Sequence, residues 1–254
     1  MELHLARDLP WKLSFCLMID FTKRSYQKEY LDRDDLLFSD ISLNMKELEF
    51  INSKLGGHSI TLDGFKTLAQ RKNQLSVCEV GSGGGDNLRV IYDYAKKNNI
   101  SLTCMGIDIN PNCIRYARER IRIPGINFIN ADYLSLNLKD RKPDIIFCSL
   151  FTHHFNESEL LEMIQWMKEN SNLGFFINDL HRHPIAYYFI RLATIIFSRS
   201  YLVKHDAPLS VLRGFVRKEW ELILKSARIN NYAINWKWAF RYLVTVKNHK
   251  GNGD

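Results

Sequence analysis

Apolar residues along this chain follow two rhythms that take turns. From Leu75 onward, short strand-like runs, several of them continuously apolar, read "LSVCEV", "LTCMGID", "INFIN", "PDIIFCSL" and "LGFFIND". Between them, apolar residues recur at helical spacing. "DNLRVIYDYAKKNN" sets Leu88, Ile91, Tyr92 and Ala95 on one face, and "NPNCIRYARERI" carries Pro111 early. "NESELLEMIQWMKEN" opens on Asn156 with Glu159 placed to complete a capping box. Continuous apolar strands belong to parallel sheets covered on both faces, so the alternation predicts an α/β doubly wound fold.

The two ends of the chain break this rhythm. "IAYYFIRLATIIFS" and "RKEWELILKSARI" are helical, and then "YAINWKW" and "RYLVTVK" follow each other closely. Two strands joined by so few residues must pair antiparallel. At the other end, "SYQKEYLDRDDLLFSDISLNMKELEFINSKLGG" reads as helices ending at Gly56 and Gly57. The expected organisation is a helical extension or lid over residues 1–65 and an α/β domain over 66–254. Within the latter, 180–230 reads as an insertion that shapes a substrate pocket.

Composition narrows the class. The 254 residues are 46% hydrophobic, enough for one large core. The net charge of +7 permits nucleic acid or anionic membrane as a partner, but Lys and Arg are spread along the chain and read as solvated surface. No nucleic-acid partner is expected. Cys16, Cys78, Cys104, Cys113 and Cys148 are odd in number and lack ligand spacing, so they read as buried thiols in a reducing compartment. "MELHLARDLPWKLSFCLMIDF" lacks a basic start and a cleavage site. The most apolar stretch, Ile185 to Phe197, is too short to span a bilayer and is interrupted by Arg191. A cytoplasmic location is expected, with room for a weak membrane-surface contact.

The chemistry gathers where strands end. Gly81-Ser82-Gly83-Gly84-Gly85 follows the first strand and opens a helix, where bare backbone can turn tightly and approach a ligand. A dinucleotide loop would read G-x-G-x-x-G. Here the spacing is G-x-G-x-G, with Glu79 before it and Asp86 after it. Flanking acids suit a ligand with an ammonium group, such as S-adenosylmethionine, better than a pyrophosphate. Asp108 ends the second strand, where a carboxylate accepts from ribose hydroxyls. Asp132 follows the third strand, placed for an adenine amino group with Tyr133 beside it. "FCSLFTHHF" ends the fourth, at the side a substrate would occupy.

Taken in order, "VCEVGSGGGD", "GIDINP", "NADYLSL", "PDIIFCSLFTHHF" and "FRYLVTVK" resemble the motifs of class I S-adenosylmethionine-dependent methyltransferases over roughly Leu75 to Lys247. The resemblance implies a Rossmann-like seven-stranded sheet of order 3-2-1-4-5-7-6 with strand seven antiparallel. It implies S-adenosylmethionine as cofactor, surrounded by Glu79, Gly81, Gly83, Asp108, Asp132 and Ser149, with Ser82, Ile109 and Tyr133 beside them. Within the family the chain looks most like small-molecule enzymes related to ubiquinone biosynthesis. "NDLHRHP", "HDAPLSVLRGF" and "INSKLGG" also resemble methyltransferases found with polyketide synthases.

Departures from other branches matter as much. The place of an amino-methylating Asp/Asn-Pro-Pro-aromatic motif reads Cys148-Ser149-Leu150-Phe151, and no Pro-Cys pair offers a C5 nucleophile. Asn178-Asp179 partly echoes the metal-dependent catechol pattern, but Ser149-Leu150 offers no first carboxylate, so no metal is expected. What remains is transfer to oxygen, carbon or nitrogen of a small molecule, and the expected reaction is O- or C-methylation of an apolar, aromatic or polyketide-like acceptor, with a histidine base. His153, His154, His181 and His183 all follow strand ends. His154 and His181 are the expected catalytic pair. Arg182 reads equally as an anchor for an acidic substrate or as a surface residue. Asp206 and Arg213 pair with each other or touch substrate. Tyr187 to Phe197 reads as the helix covering strand five, compatible with a pocket wall, and Trp236 and Trp238 read as packing. Alternatives left standing are an RNA or protein methyltransferase, a non-catalytic partner protein of this fold, and, against the loop spacing, a nucleotide-dependent oxidoreductase.

Overall fold

The structure is a computed structural model that describes residues 19–33, 35–70, 72–138 and 141–248. The apolar piece before Ile19, with Cys16, lies outside the described residues. Seven strands form one sheet: β1 Gln74–Val80, β2 Ser101–Asp108, β3 Ile126–Asn130, β4 Ile145–Ser149, β5 Gly174–Leu180, β6 Tyr232–Lys237 and β7 Arg241–Lys247. Their order is β3-β2-β1-β4-β5-β7-β6, parallel through β5, with β7 antiparallel to both neighbours. This is the expected Rossmann-like topology.

Side chains alternate across the sheet. Leu75 and Val77 of β1 face the layer formed by α2 (Gly57–Ala69), α3 (Asp86–Lys97) and α4 (Pro111–Arg120). Cys78 and Val80 face α5 (Glu157–Asn170) and α8 (Arg217–Ser226). The four described cysteines are buried and free. Asn156 caps α5 through both halves of the predicted capping box, its side chain accepting from the Ser158 and Glu159 amides. Asn110 caps α4 with Pro111 in its first turn.

Two helices depart from the sequence reading. Gly56, at φ +77°, follows the end of α1 (Phe38–Lys54) as expected, but α2 starts directly after it at Gly57. Helix α2 crosses position 65, the expected domain boundary, and packs on β5: a Cβ on Gly64 would lie 2.5 Å from the Phe176 ring. It therefore belongs to the helical layer of the domain, while α1 stands over the strand ends. Within 180–230, α6 (Pro184–Phe197) is followed by α7 (Tyr201–Arg213), an additional helix that carries Pro208 in its interior. A proline that removes a backbone donor reads as a break in sequence; here burial of Leu202, Val203, Leu209 and Val211 holds the helix together.

Candidate active site

The carboxyl ends of β1 to β4 open into a cavity of about 880 Å³, a size suited to small molecules. Glu79, Gly81, Ser82, Gly83, Asp108, Ile109, Asp132, Tyr133, Ser149 and His154 all line it. The glycine loop is shaped for close approach. Gly81 sits at φ +68° and Gly83 at φ +48°, left-handed backbone that a side chain resists. A Cβ on Gly81 would fall 2.2 Å from the Phe151 ring.

The acids of this rim are arranged differently from one another. Glu79 is 1% exposed; its Oε1 accepts from Asn87 at 2.9 Å, and its Oε2 has no partner. Burial, with Asp86 and Asp108 nearby, pushes the Glu79 carboxyl well above the usual range. Burial also raises Asp108, although the Asn110 amide donates to its Oδ1 at 2.9 Å and the Gly83 amide to its Oδ2 at 2.8 Å. Asp86 is the exception. Burial pushes it up, but pairing with His58 Nε2 at 2.6 Å outweighs this and holds it low. Asp132 caps the turn at Tyr133 by accepting from the Leu134 amide, and Tyr133 packs edge-on against Trp166. Ser149 Oγ accepts from Asn178 Nδ2 at 3.3 Å.

On the opposite wall a chain of carboxylates and imidazoles reaches the cavity from the core. Asp179 Oδ1 stands 2.7 Å from His153 Nδ1, and Asp179 also accepts from the His153 amide and the Thr152 hydroxyl. His153 Nε2 lies 3.5 Å from Glu29 Oε1. Glu29 Oε2 lies 3.7 Å from His154 Nε2, and Asp32 Oδ1 lies 3.3 Å from His154 Nδ1. Burial opposes charge on His153, but Asp179 and Glu29 overcome it and raise the imidazole to about 9. Burial likewise opposes charge on Asp179, and His153 holds that carboxyl well below its usual range.

Segment 24–32 supplies Glu29 and Asp32 to this network and is strapped in place. Asp206 accepts from the amides of Tyr30 at 2.8 Å and Leu31 at 3.0 Å. Arg213 donates to the carbonyls of Gln27, His153 and His154. Asp206 and Arg213 thus hold this segment rather than each other. Sequence reasoning missed Glu29 and Asp32, which sit in a polar stretch with no motif, and Asp179, which it weighed only as a metal ligand.

His181, expected beside His154, is not brought to the cavity. Its amide donates to the Phe240 carbonyl at 2.9 Å, and its Nδ1 accepts from Trp236 Nε1 at 3.2 Å. Burial, with His183 and Arg182 nearby, lowers it to about 4. Arg182 is buried as well. It donates to the carbonyl of Gly214 and pairs with Glu219 at 2.7 Å, so it anchors the chain instead of a substrate.

Comparison with known proteins bears on the domain and the fold. The family model described as a methyltransferase domain matches residues 77–174, from the first strand to the start of the fifth. Residues 77–174 thus match a methyltransferase domain, on a sheet with the seven-stranded order of that fold. No curated protein matches the chain. Similar solved structures include human N-acetylserotonin methyltransferase in complex with SAM (TM-score 0.60, 14% identity, 84% of this chain). This chain spans 57% of that protein. A SAM-dependent methyltransferase from Aquifex aeolicus is similar over 81% of this chain and 97% of its own, with TM-score 0.58 and 20% identity. The plantazolicin methyltransferase BpumL, bound to a pentazolic desmethylPZN analog and SAH, gives TM-score 0.62 and 16% identity over 83% of this chain and 91% of its own. At these identities the likeness is one of fold.

Proposed function

We propose that this methyltransferase moves the methyl group of S-adenosylmethionine to an oxygen or carbon of a small, apolar acceptor of aromatic or polyketide-like character, without a metal ion. The observation that carries this reading is His154, an imidazole on the cavity wall backed by two carboxylates. Asp32 is placed to accept a hydrogen bond from Nδ1–H, which leaves the Nε2 lone pair to accept a proton. Glu29, 3.7 Å from Nε2, stabilises the imidazolium that results. Leu31, Leu36, Ile41, Met45 and Leu48 line the cavity from segment 31–36 and α1 and suit an apolar acceptor.

The residues present fit the cofactor. Glu79 Oε2 and Ser82 Oγ are buried polar atoms without partners, and Gly81 and Gly83 keep the loop free of side chains. Glu79 would face an ammonium group, Asp108 the ribose hydroxyls, and Asp132 with Tyr133 the adenine; Ser82, Ile109 and Ser149 line the remainder. Bound there, the cofactor supplies an activated methyl group, and the chain's task is positioning and proton removal.

Glu29, His153 and His154 offer ligand atoms within 4.8 Å of one another, a grouping a cation could use. Two features favour ion pairing instead. Glu29 Oε1 already accepts from Ser210 Oγ at 2.7 Å, and Arg213 brings a guanidinium to 4.0 Å of it. EDTA should therefore leave turnover unchanged; metal-restored activity would sink this part of the reading.

The test begins with melting curves in S-adenosylmethionine and its demethylated product, for wild type and Asp108→Ala. At about 100-fold excess over Kd, binding adds ~2.7 kcal/mol, a rise of roughly 5–10 °C. The rise should shrink in the variant. No rise with either ligand removes the basis of the proposal. An acceptor screen with phenols and 1,3-diketones follows. His154→Asn should lower kcat by about 10²- to 10⁴-fold with cofactor binding unchanged; an unchanged kcat would exclude His154 as base.

A further inference from the structure

Helix α6 is apolar on both faces. Ala186, Tyr187 and Ile190 are buried against Ile51, Leu55, Val211 and Phe240, which accounts for its role as a cover helix. On the opposite face Ile185, Tyr188, Phe189, Leu192, Ile195 and Ile196 recur at three- and four-residue steps, each 53–63% exposed. Phe197 at the helix end is 79% exposed. A surface helix ordinarily turns polar residues outward. This one turns outward a stripe longer than any single exposed apolar residue explains.

The surroundings say what the stripe fits. Helix α6 holds no acid, and its one charge is the exposed Arg191. Past its end, Arg199 and Lys204 are exposed. Helix α1 lies alongside: its Glu47 accepts from the Ser198 hydroxyl and the Arg199 amide, so that acid is committed to the junction. The α1 side chains Lys46, Phe50 and Lys54 are exposed. At the other end of α6, Trp236 and Trp238, 48% and 68% exposed, flank Phe240. The indoles read from sequence as packing are thus half open to solvent.

We propose that α6 docks this protein on the surface of an anionic phospholipid bilayer, lying in the plane of the interface. Apolar side chains enter the acyl boundary, cations meet lipid phosphates, and indoles sit at headgroup depth. A second copy related by a twofold axis would bring the same cations together, which disfavours a self-association face. No helix among the described residues is long and apolar enough to cross a membrane, so attachment through α6 is peripheral.

The experiment is co-sedimentation of the full chain with vesicles, without cofactor, so its outcome is independent of methyl transfer. Vesicles of phosphatidylcholine alone are compared with an equal mixture of phosphatidylcholine and phosphatidylglycerol. Binding is expected to the mixture, weakening as salt is raised. Leu192→Asp and Phe197→Asp should each weaken it at least about tenfold, and Arg199→Ser by roughly fivefold. Both Asp substitutions fall on solvent-facing positions, and unchanged melting curves confirm the fold. Absence of binding to the mixture overturns the proposal, as does binding that the Asp variants leave intact. A dimer in sedimentation velocity that the Asp variants convert to monomer, with no vesicle binding, assigns the face to a second copy instead.

Discussion

Asp179→Asn tests whether the network behind the cavity is an ion-pair network. In the wild type, Asp179 and Glu29 raise the His153 imidazole to about 9 against an ordinary value of 6.5. A folded-state value above the unfolded one stabilises fully below pH 6.5 and loses that effect as pH rises through about 9. The interval, at about 1.4 kcal/mol per pH unit, amounts to ~3 kcal/mol for the two carboxylates together, an upper bound for Asp179 alone. The depression of the Asp179 carboxyl below its usual range expresses the same pairing and adds nothing to this figure. Independently, removing one partner of a buried pair costs about 3–5 kcal/mol. For a chain of this size ~3 kcal/mol corresponds to roughly 6–12 °C in melting temperature. Calorimetry of both proteins from pH 6 to 10 should show the widest gap at and below pH 6.5. The gap should narrow through about pH 9 to what the Thr152 and backbone hydrogen bonds leave. A gap that stays flat across this range, or one under about 2 °C at pH 6.5, refutes the charged pair.

Two substitutions probe the loop and the misassigned histidine. Gly81→Ala adds a Cβ against the Phe151 ring in left-handed backbone, and should cost about 2 kcal/mol and abolish the melting shift with demethylated cofactor. An unaltered shift would mean the loop does not approach the ligand. His181→Ala should leave kcat within about twofold of wild type, since proton transfer requires hydrogen-bond reach and this ring stands outside the cavity, against Trp236. A loss comparable to that of His154→Asn would return His181 to the site.

What was legible in the sequence is what is local. The strand-to-helix turns carry Glu79, the glycines, Asp108 and Asp132 within a few residues of a strand end, and a parallel sheet brings such ends to one side. Leu88, Ile91 and Ala95 announced α3 because their spacing is the helix's own. The acceptor side was not legible. Glu29 and Asp32 reach His153 and His154 because α7 pins their segment through Asp206 and Arg213, contacts between residues far apart in the chain. His181 shows the limit of the strand-end rule. It follows β5 as His154 follows β4, but β5 pairs with the antiparallel β7, whose hairpin brings Trp236 and Phe240 over that end. A strand end is open to a ligand only where the next connection leaves it uncovered.

The weakened acidity of the Glu79 carboxyl, held above its usual range, would link cofactor binding to pH. Because its folded-state carboxyl lies above the ordinary value, Glu79 stabilises the ligand-free protein at low pH and that contribution is lost as pH rises through its folded pKa. An ammonium beside the unpartnered Oε2 would favour the carboxylate and remove part of this loss. The melting shift produced by demethylated cofactor should therefore grow between pH 5 and pH 7, where an α-amino group remains largely charged. Glu79→Gln should flatten that growth while retaining a shift, since the amide keeps the shape of the side chain without its titration. A shift of equal size at both pH values in the wild type would mean that Glu79 does not meet the ammonium group, and that its buried oxygen belongs to the fold rather than to the ligand.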